Sequence, residues 1–176
     1  MKKEVVIYGA GGHARVISSL IKNQLREVSC FFDDQESLQG NVMRYNKDAF
    51  PDAEMIIAVG NNTTRQRLAS EVAHEFGTFV HPAATVDADT VLGEGTVVLA
   101  KAVIQANVKI GAHVIINAGA IVDHDAVIED YVHIAPNACI GGGAHIEKGA
   151  VIGAGAVVSR FARVKANTAV PPLTVV

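Results

Sequence analysis

The sequence predicts a small α/β domain of βαβ type over residues 1–78, followed by an all-β solenoid, a parallel β-helix, over 79–176. Three observations carry this. From Val80 to Val176 every sixth residue is Val, Ile or Leu, seventeen positions without an insertion. Four residues after each, from Ala84 to Thr174, stands a small or β-branched residue. Before residue 79 the pattern changes to short apolar runs broken by glycine-rich turns.

A period of six cannot be helical. Six residues turn an α-helix by about 600°, which scatters the apolar set around the axis. A strand-and-corner unit uses the period well: the large apolar residue points inward and a corner follows. Gly93, Gly111, Gly141 and Gly153 fall one residue past the inward position. Three hexads close one triangular coil of 18 residues. At about 4.8 Å between stacked strands the prism is roughly 25 Å tall, and its coils share one core.

The first domain opens with Glu4–Tyr8, read as a buried strand. Gly9-Ala-Gly-Gly-His13 leads into a helix expected over Ala14–Gln24, with Val16, Ile17, Leu20 and Ile21 on one face. A second strand, Val28–Phe32, ends in Asp33-Asp34. Glycine in the first turn lets backbone N–H groups meet an anion at the helix start, and an acid about 20 residues on can meet a ribose hydroxyl. The turn departs from the dinucleotide fingerprint, because position 14 holds Ala where the third glycine belongs. A less regular stretch is expected over 34–52, then a strand over Met55–Val59 and the turn Gly60-Asn61-Asn62-Thr63. A helix follows over Thr64–Phe76, with Leu68, Val72 and Phe76 apolar. This Rossmann-like half-domain is too small for a dinucleotide and large enough for a nucleotide mono- or diphosphate, which argues against a redox role.

Composition narrows the partners. Net charge is −3 with no basic run, which excludes nucleic acid as a ligand. The apolar runs are too short to span a bilayer, and Met1-Lys2-Lys3 runs straight into a strand rather than a signal peptide. Cys30 and Cys139 lie in different segments and are expected to stay reduced in the cytoplasm.

On a regular prism the exceptions carry the chemistry. Asp123-His124-Asp125 is the densest acid–base cluster of the hexads. A carboxylate beside an imidazole fixes its tautomer and raises its basicity, as a general base near pH 7 requires. His124 falls at a corner facing outward, and His133 falls mid-strand, also outward. Half a coil separates them, so one prism cannot join them and two adjacent prisms can. An active site between subunits, in a closed homo-oligomer such as a homotrimer, is the expectation. No spacing resembles a metal-ligand set, so no metal is expected.

The hexads resemble the left-handed β-helix of bacterial acyltransferases, and the left hand is implied by that resemblance. The whole chain resembles the bacterial sialic-acid O-acetyltransferases and UDP-4-amino-sugar N-acetyltransferases. The residues that carry it are Ile7-Tyr-Gly-Ala-Gly-Gly-His-Ala14, Phe32-Asp-Asp34, Ala58-Val-Gly-Asn-Asn62 with Arg65, and Ile116-Asn-Ala-Gly-Ala-Ile-Val-Asp-His124-Asp with His133. The resemblance implies His124 as base, supported by Asp125, with acetyl-CoA as co-substrate. It implies that His133 and the Gly142 N–H contact the acetyl thioester. CoA is then expected along a groove lined by Gly142 and Ala154, with Arg160, Arg163 or Lys165 near its phosphates. The substrate is expected on Gly11, Gly12, His13, Asp33, Asp34, Gly60, Asn61 and Asn117. Two departures stand out: Asp125 replaces the usual Glu, and Pro171-Pro-Leu-Thr-Val-Val176 lacks the usual Gly-x-Pro-Ala-type segment. The second implies either a longer natural chain or fewer contacts to CoA.

The expected activity is acetyl transfer from acetyl-CoA to the amino group of a UDP-linked amino sugar. O-acetylation of a sialic acid is an alternative of the same class. A nucleotide-sugar-binding or structural protein without catalysis is an alternative of another class.

Overall fold

The computed structural model describes residues 3–34 and 41–176. Met1, Lys2 and residues 35–40 of the stretch expected to be irregular lie outside them. The first domain runs β1 (Val5–Tyr8), α1 (Gly12–Asn23), β2 (Val28–Phe32), β3 (Val42–Met43), β4 (Glu54–Ile57) and α2 (Asn62–Glu71). Its sheet is parallel, ordered β3-β2-β1-β4. The strand β3 was not expected. It borders β2 through Phe31 N–H to Asn41 O and Asp33 N–H to Met43 O, each 3.0 Å.

The second helix stops earlier than its apolar pattern predicts. Val72 is extended (φ −89°, ψ 149°), and the chain beyond it pairs beside β4 through Met55 N–H to Glu75 O at 2.8 Å and Gly77 N–H to Met55 O at 3.0 Å. The Tyr45 hydroxyl accepts from Ala73 N–H at 2.8 Å and meets His74 Nδ1 at 3.2 Å. Tertiary partners thus replace the helical bonds, and spacing alone cannot reveal them. On α1 the buried face is Ala14, Ile17, Leu20 and Ile21, while Val16 is exposed.

The solenoid has three faces, each a stack of two-residue parallel strands whose register advances by 18 residues, as in Ile115↔His133 and His133↔Val151. The first face begins at Phe79–Val80, the second at Thr85–Val86 and the third at Val91–Leu92. The inward column from Val98 to Val170 and the small column from Ala102 to Ala156 form one buried core. Val176, also expected inward, is 44% exposed. From residue 95 on, every sixth residue is left-handed, including Asn107, Asp125 and Tyr131 at φ 59–62°. Each corner therefore turns on one residue in this conformation, which costs most side chains about 1–2 kcal/mol.

The first domain lies against the first face. Outward Phe79, Val97 and Ile115 there share a core with Val5, Ile7, Ile17, Leu20 and Ile56. The second and third faces leave outward side chains in solvent: Ile121 is 40% and Val91 70% exposed. Among the described residues no helix is long and apolar enough to cross a membrane.

Candidate active site

Two regions hold the chemistry-bearing residues, and they stand at different corners of the prism. The first is the ridge between the second and third faces. His124, Gly142 and Arg160 follow one another there at 18-residue intervals, one per coil. Asp125 takes the left-handed corner position at φ 59°, a conformation Asp tolerates better than most residues. Its Oδ2 lies 2.7 Å from His124 Nδ1. A carboxylate only accepts, so Nδ1 carries the proton and Nε2 keeps its lone pair. On the other side Asp123 Oδ1 accepts from His124 N–H at 2.8 Å and lies 4.0 Å from Nε2. The His124 side chain is 44% exposed.

Gly142 stands over that nitrogen. A Cβ built on it would come 2.9 Å from His124 Nε2 and 3.0 Å from Cε1, so glycine keeps a space open at the basic atom. Among the described residues its N–H has no hydrogen-bond partner, whereas neighbouring Gly143 N–H donates to His124 O at 2.9 Å. A lone pair and a free N–H thus border one small cradle. A polarised acyl group fits such a pair of groups.

The second region is a cleft of about 520 Å³ between α1 and the corner joining the first and second faces, bordered by Gly12, Arg15, Leu99, Asn117 and Ala118. Gly9 is demanded by its own backbone: φ is 110° and a Cβ would meet Ala58 O at 2.9 Å. Gly11 and Gly60 are not, since a Cβ on either would meet nothing within 4 Å. The start of α1 has no side-chain cap and no acid in its first turn, which leaves its N–H groups for an anion. Asp33 fixes this turn by accepting from Ala10 N–H at 2.7 Å. Asp34 accepts from the Tyr8 hydroxyl at 2.6 Å, and burial, then this bond, push that phenol up. Asn61 caps α2, accepting from Thr64 N–H at 2.9 Å.

His133 faces outward from its strand as expected, yet it meets its own first domain rather than solvent. Its Nε2 lies 3.3 Å from Asn117 Nδ2. Burial, then the charge of Arg65, push His133 down to about 4, and the same two causes do so for His13. Arg65 is the clamp between the domains. It is 1% exposed and donates to His113 O (2.9 Å), Tyr131 O (2.8 Å), Val59 O (2.9 Å) and Asn62 Oδ1 (2.8 Å). Asn62 Nδ2 donates to Gly149 O at 2.8 Å. Residues 113, 131 and 149 are one corner on three successive coils, so two side chains grip three rungs.

One chain therefore gathers His124, Asp125, Gly142 and Arg160 on the ridge, and Gly11, Gly12, His13, Gly60, Asn117 and His133 near the cleft. The remaining CoA candidates stand apart. Ala154 lies two coils beyond Ala118 at the cleft corner. Arg163 lies on the third face with its guanidinium on Glu147. Lys165 is exposed at the third corner. Motif reading passed over Asn107, whose amide reaches Asp125. Stepping back one coil from Asp125 finds it.

A prism with an imidazole and a bare glycine on an uncovered ridge, joined to a glycine-turned α/β domain, has the build of a hexapeptide-repeat transferase. Residues 4–72 match the PglD N-terminal domain, and residues 76–124 and 125–160 match the bacterial transferase hexapeptide (six repeats). The chain therefore pairs a PglD N-terminal domain with a left-handed β-helix of bacterial transferase hexapeptide repeats. It is 40% identical over 112 residues to the UDP-N-acetylbacillosamine N-acetyltransferase of Bacillus subtilis (strain 168), covering 56% of this chain and 52% of that protein. The chain thus spans about half the length of this curated relative. The acetyltransferase domain of PglB from Neisseria gonorrhoeae FA1090, in complex with acetyl coenzyme A, aligns with TM-score 0.74 and 26% identity over 99% of this chain and 98% of that one. PerB from Caulobacter crescentus, in complex with CoA and GDP-perosamine, aligns with TM-score 0.67 and 28% identity over 96% and 91%.

Proposed function

We propose that this protein transfers the acetyl group of acetyl-CoA to the amino group of a UDP-linked amino sugar, with His124 as general base at a site shared by neighbouring solenoids of a homotrimer. The observation that carries the reading is the Asp125–His124 pair with Nε2 turned to the space that Gly142 leaves. His124 takes a proton from the attacking amine as the C–N bond forms. The Gly142 N–H faces the negative charge gathering on the acyl oxygen. His124 then returns the proton to the departing sulfur as the C–S bond breaks. Acetyl-CoA is a substrate here and supplies the activated acyl group. Arg160, one coil beyond Gly142, is placed to meet its phosphates.

The placing of the two regions supports a shared site. The cleft and the ridge stand at either edge of the second face, so one copy holds an acceptor away from its own base. That face presents Val103, Ile121, Cys139 and Val157 outward, with Ile121 40% and Val157 37% exposed. A flat apolar sheet of this kind fits a second copy, and a heterologous contact that closes makes a ring. The name of the Bacillus subtilis relative supports an amine acceptor and a UDP carrier, whereas the PerB structure holds a GDP-linked sugar. Free Cys30 and Cys139 fit a reducing, cytoplasmic setting.

A thiol-release assay over UDP-amino sugars, GDP-amino sugars and sialic acid tests the acceptor. Turnover confined to the UDP-amino sugars is the expected result; turnover of sialic acid alone overturns it. His124→Ala should lower kcat about 10²–10⁴-fold with the fold intact. An active monomer by light scattering removes the shared site.

A further inference from the structure

Asn107 sits one coil below Asp125 in the same corner column, and its backbone is left-handed too, at φ 62°. Its Nδ2 donates to Asp125 Oδ1 at 3.1 Å. The other oxygen, Oδ2, is the one 2.7 Å from His124 Nδ1. Each carboxylate oxygen thus has its own partner. The Asp125 side chain is 56% exposed, so packing alone does not hold its rotamer. Its carboxyl is kept below the usual range by the His124 hydrogen bond first and the Asn107 bond second. The other charge against the ring is Asp123, 4.0 Å from Nε2. Gly142 from the coil above brings none, and Arg160 stands one coil further. Asn107 is neutral, so it aims the carboxylate without altering the charge on the ridge.

We propose that Asn107 is a positioning residue for the acetyl transfer: its amide holds Asp125 Oδ1, so that Oδ2 keeps the His124 Nδ1 proton and Nε2 stays open toward the acceptor. This rests on the reading of His124 as the base. A bland account makes Asn107 a corner residue chosen because Asn tolerates a left-handed backbone. The two accounts part on substitution by glycine, which keeps the corner and removes the amide.

Asn107→Gly, Asn107→Asp and His124→Ala are compared by steady-state kinetics across pH, by thermal unfolding, and by carbon-13 titration of the Asp125 carboxyl. Asn107→Gly should lower kcat about tenfold, leave KM for both substrates and the melting temperature unchanged, and move the Asp125 titration upward. Asn107→Asp should shift the low-pH limb of kcat toward higher pH, because a second carboxylate favours the protonated imidazole. Unchanged kcat and an unmoved Asp125 titration in Asn107→Gly, in a protein that His124→Ala inactivates, overturn this inference and leave the proposed function standing. If His124→Ala keeps its rate, the base reading falls. The Asp125 titration in Asn107→Gly then decides whether the amide holds the carboxylate.

Discussion

A methyl group on Gly142 would press against His124: the built Cβ lies 2.9 Å from Nε2, although the two residues are a full coil apart in sequence. The atoms it would meet belong to the partly exposed side chains of His124 and Asp123, not to backbone. Gly142→Ala should therefore leave the melting temperature in place and lower kcat by about 10²-fold, since a misplacement near 1 Å costs that much. Steady-state kinetics beside a thermal scan check it. A normal rate would show that the space over Nε2 is not used.

Asp125→Asn keeps the shape and tolerates the left-handed corner. It replaces an acceptor by an amide that can donate to Nδ1, which turns the His124 proton onto Nε2. The expected loss is about 10²-fold or more in kcat, with binding of the nucleotide sugar by calorimetry unchanged. An Asn variant as fast as the parent would mean that the carboxylate does not set the tautomer.

Arg65→Met removes the donors from carbonyls buried at the junction. An unsatisfied buried polar group costs about 1–3 kcal/mol, and several lose their partner at once. Destabilisation of about 3 kcal/mol or more is expected in denaturant titration, with early proteolytic cleavage between the domains. A stable variant would show that apolar packing around Phe79 and Ile115 suffices.

Stability should fall with acid before the carboxylates titrate. His13, His113 and His133 are each pushed from 6.5 down to about 4 in the fold, chiefly by burial and next by Arg65. Below pH 6.5 the unfolded chain binds protons that the folded chain refuses until about pH 4, so stability is full above that window and is lost as pH falls through it. The melting temperature against pH should slope between these limits, less so in His13→Gln and His133→Gln. A flat profile there would mean that these rings are solvated.

The solenoid was legible because its core repeats: one apolar residue in six can have no other periodic use. The Asp125–His124 pair and the glycine turn were legible as composition against that background. What escaped depends on backbone partners. The β3 strand and the early end of α2 follow from bonds to Asn41, Met55 and Tyr45, and Arg65 grips carbonyls that leave no trace in side-chain spacing. The covering of the first face was visible only indirectly, in Phe79, Val97 and Ile115, where outward positions are apolar without a reason of their own. His133 was placed on the correct side of its strand, but its neighbour there is its own first domain.

The grip of Arg65 and Asn62 on residues 113, 131 and 149 has a consequence for how the halves are matched in height. Main-chain oxygens repeat identically up a prism, so those two donors alone would suit any three adjacent levels. What singles out this level is the unrepeated part: His113 stacked 5.1 Å from Tyr131 and set edge-on 4.4 Å from Phe76, with Gly95 in the coil below leaving room for the His113 ring. That aromatic pile acts as an index mark on an otherwise uniform ruler, and it fixes how far along the axis the cleft beside α1 stands from His124.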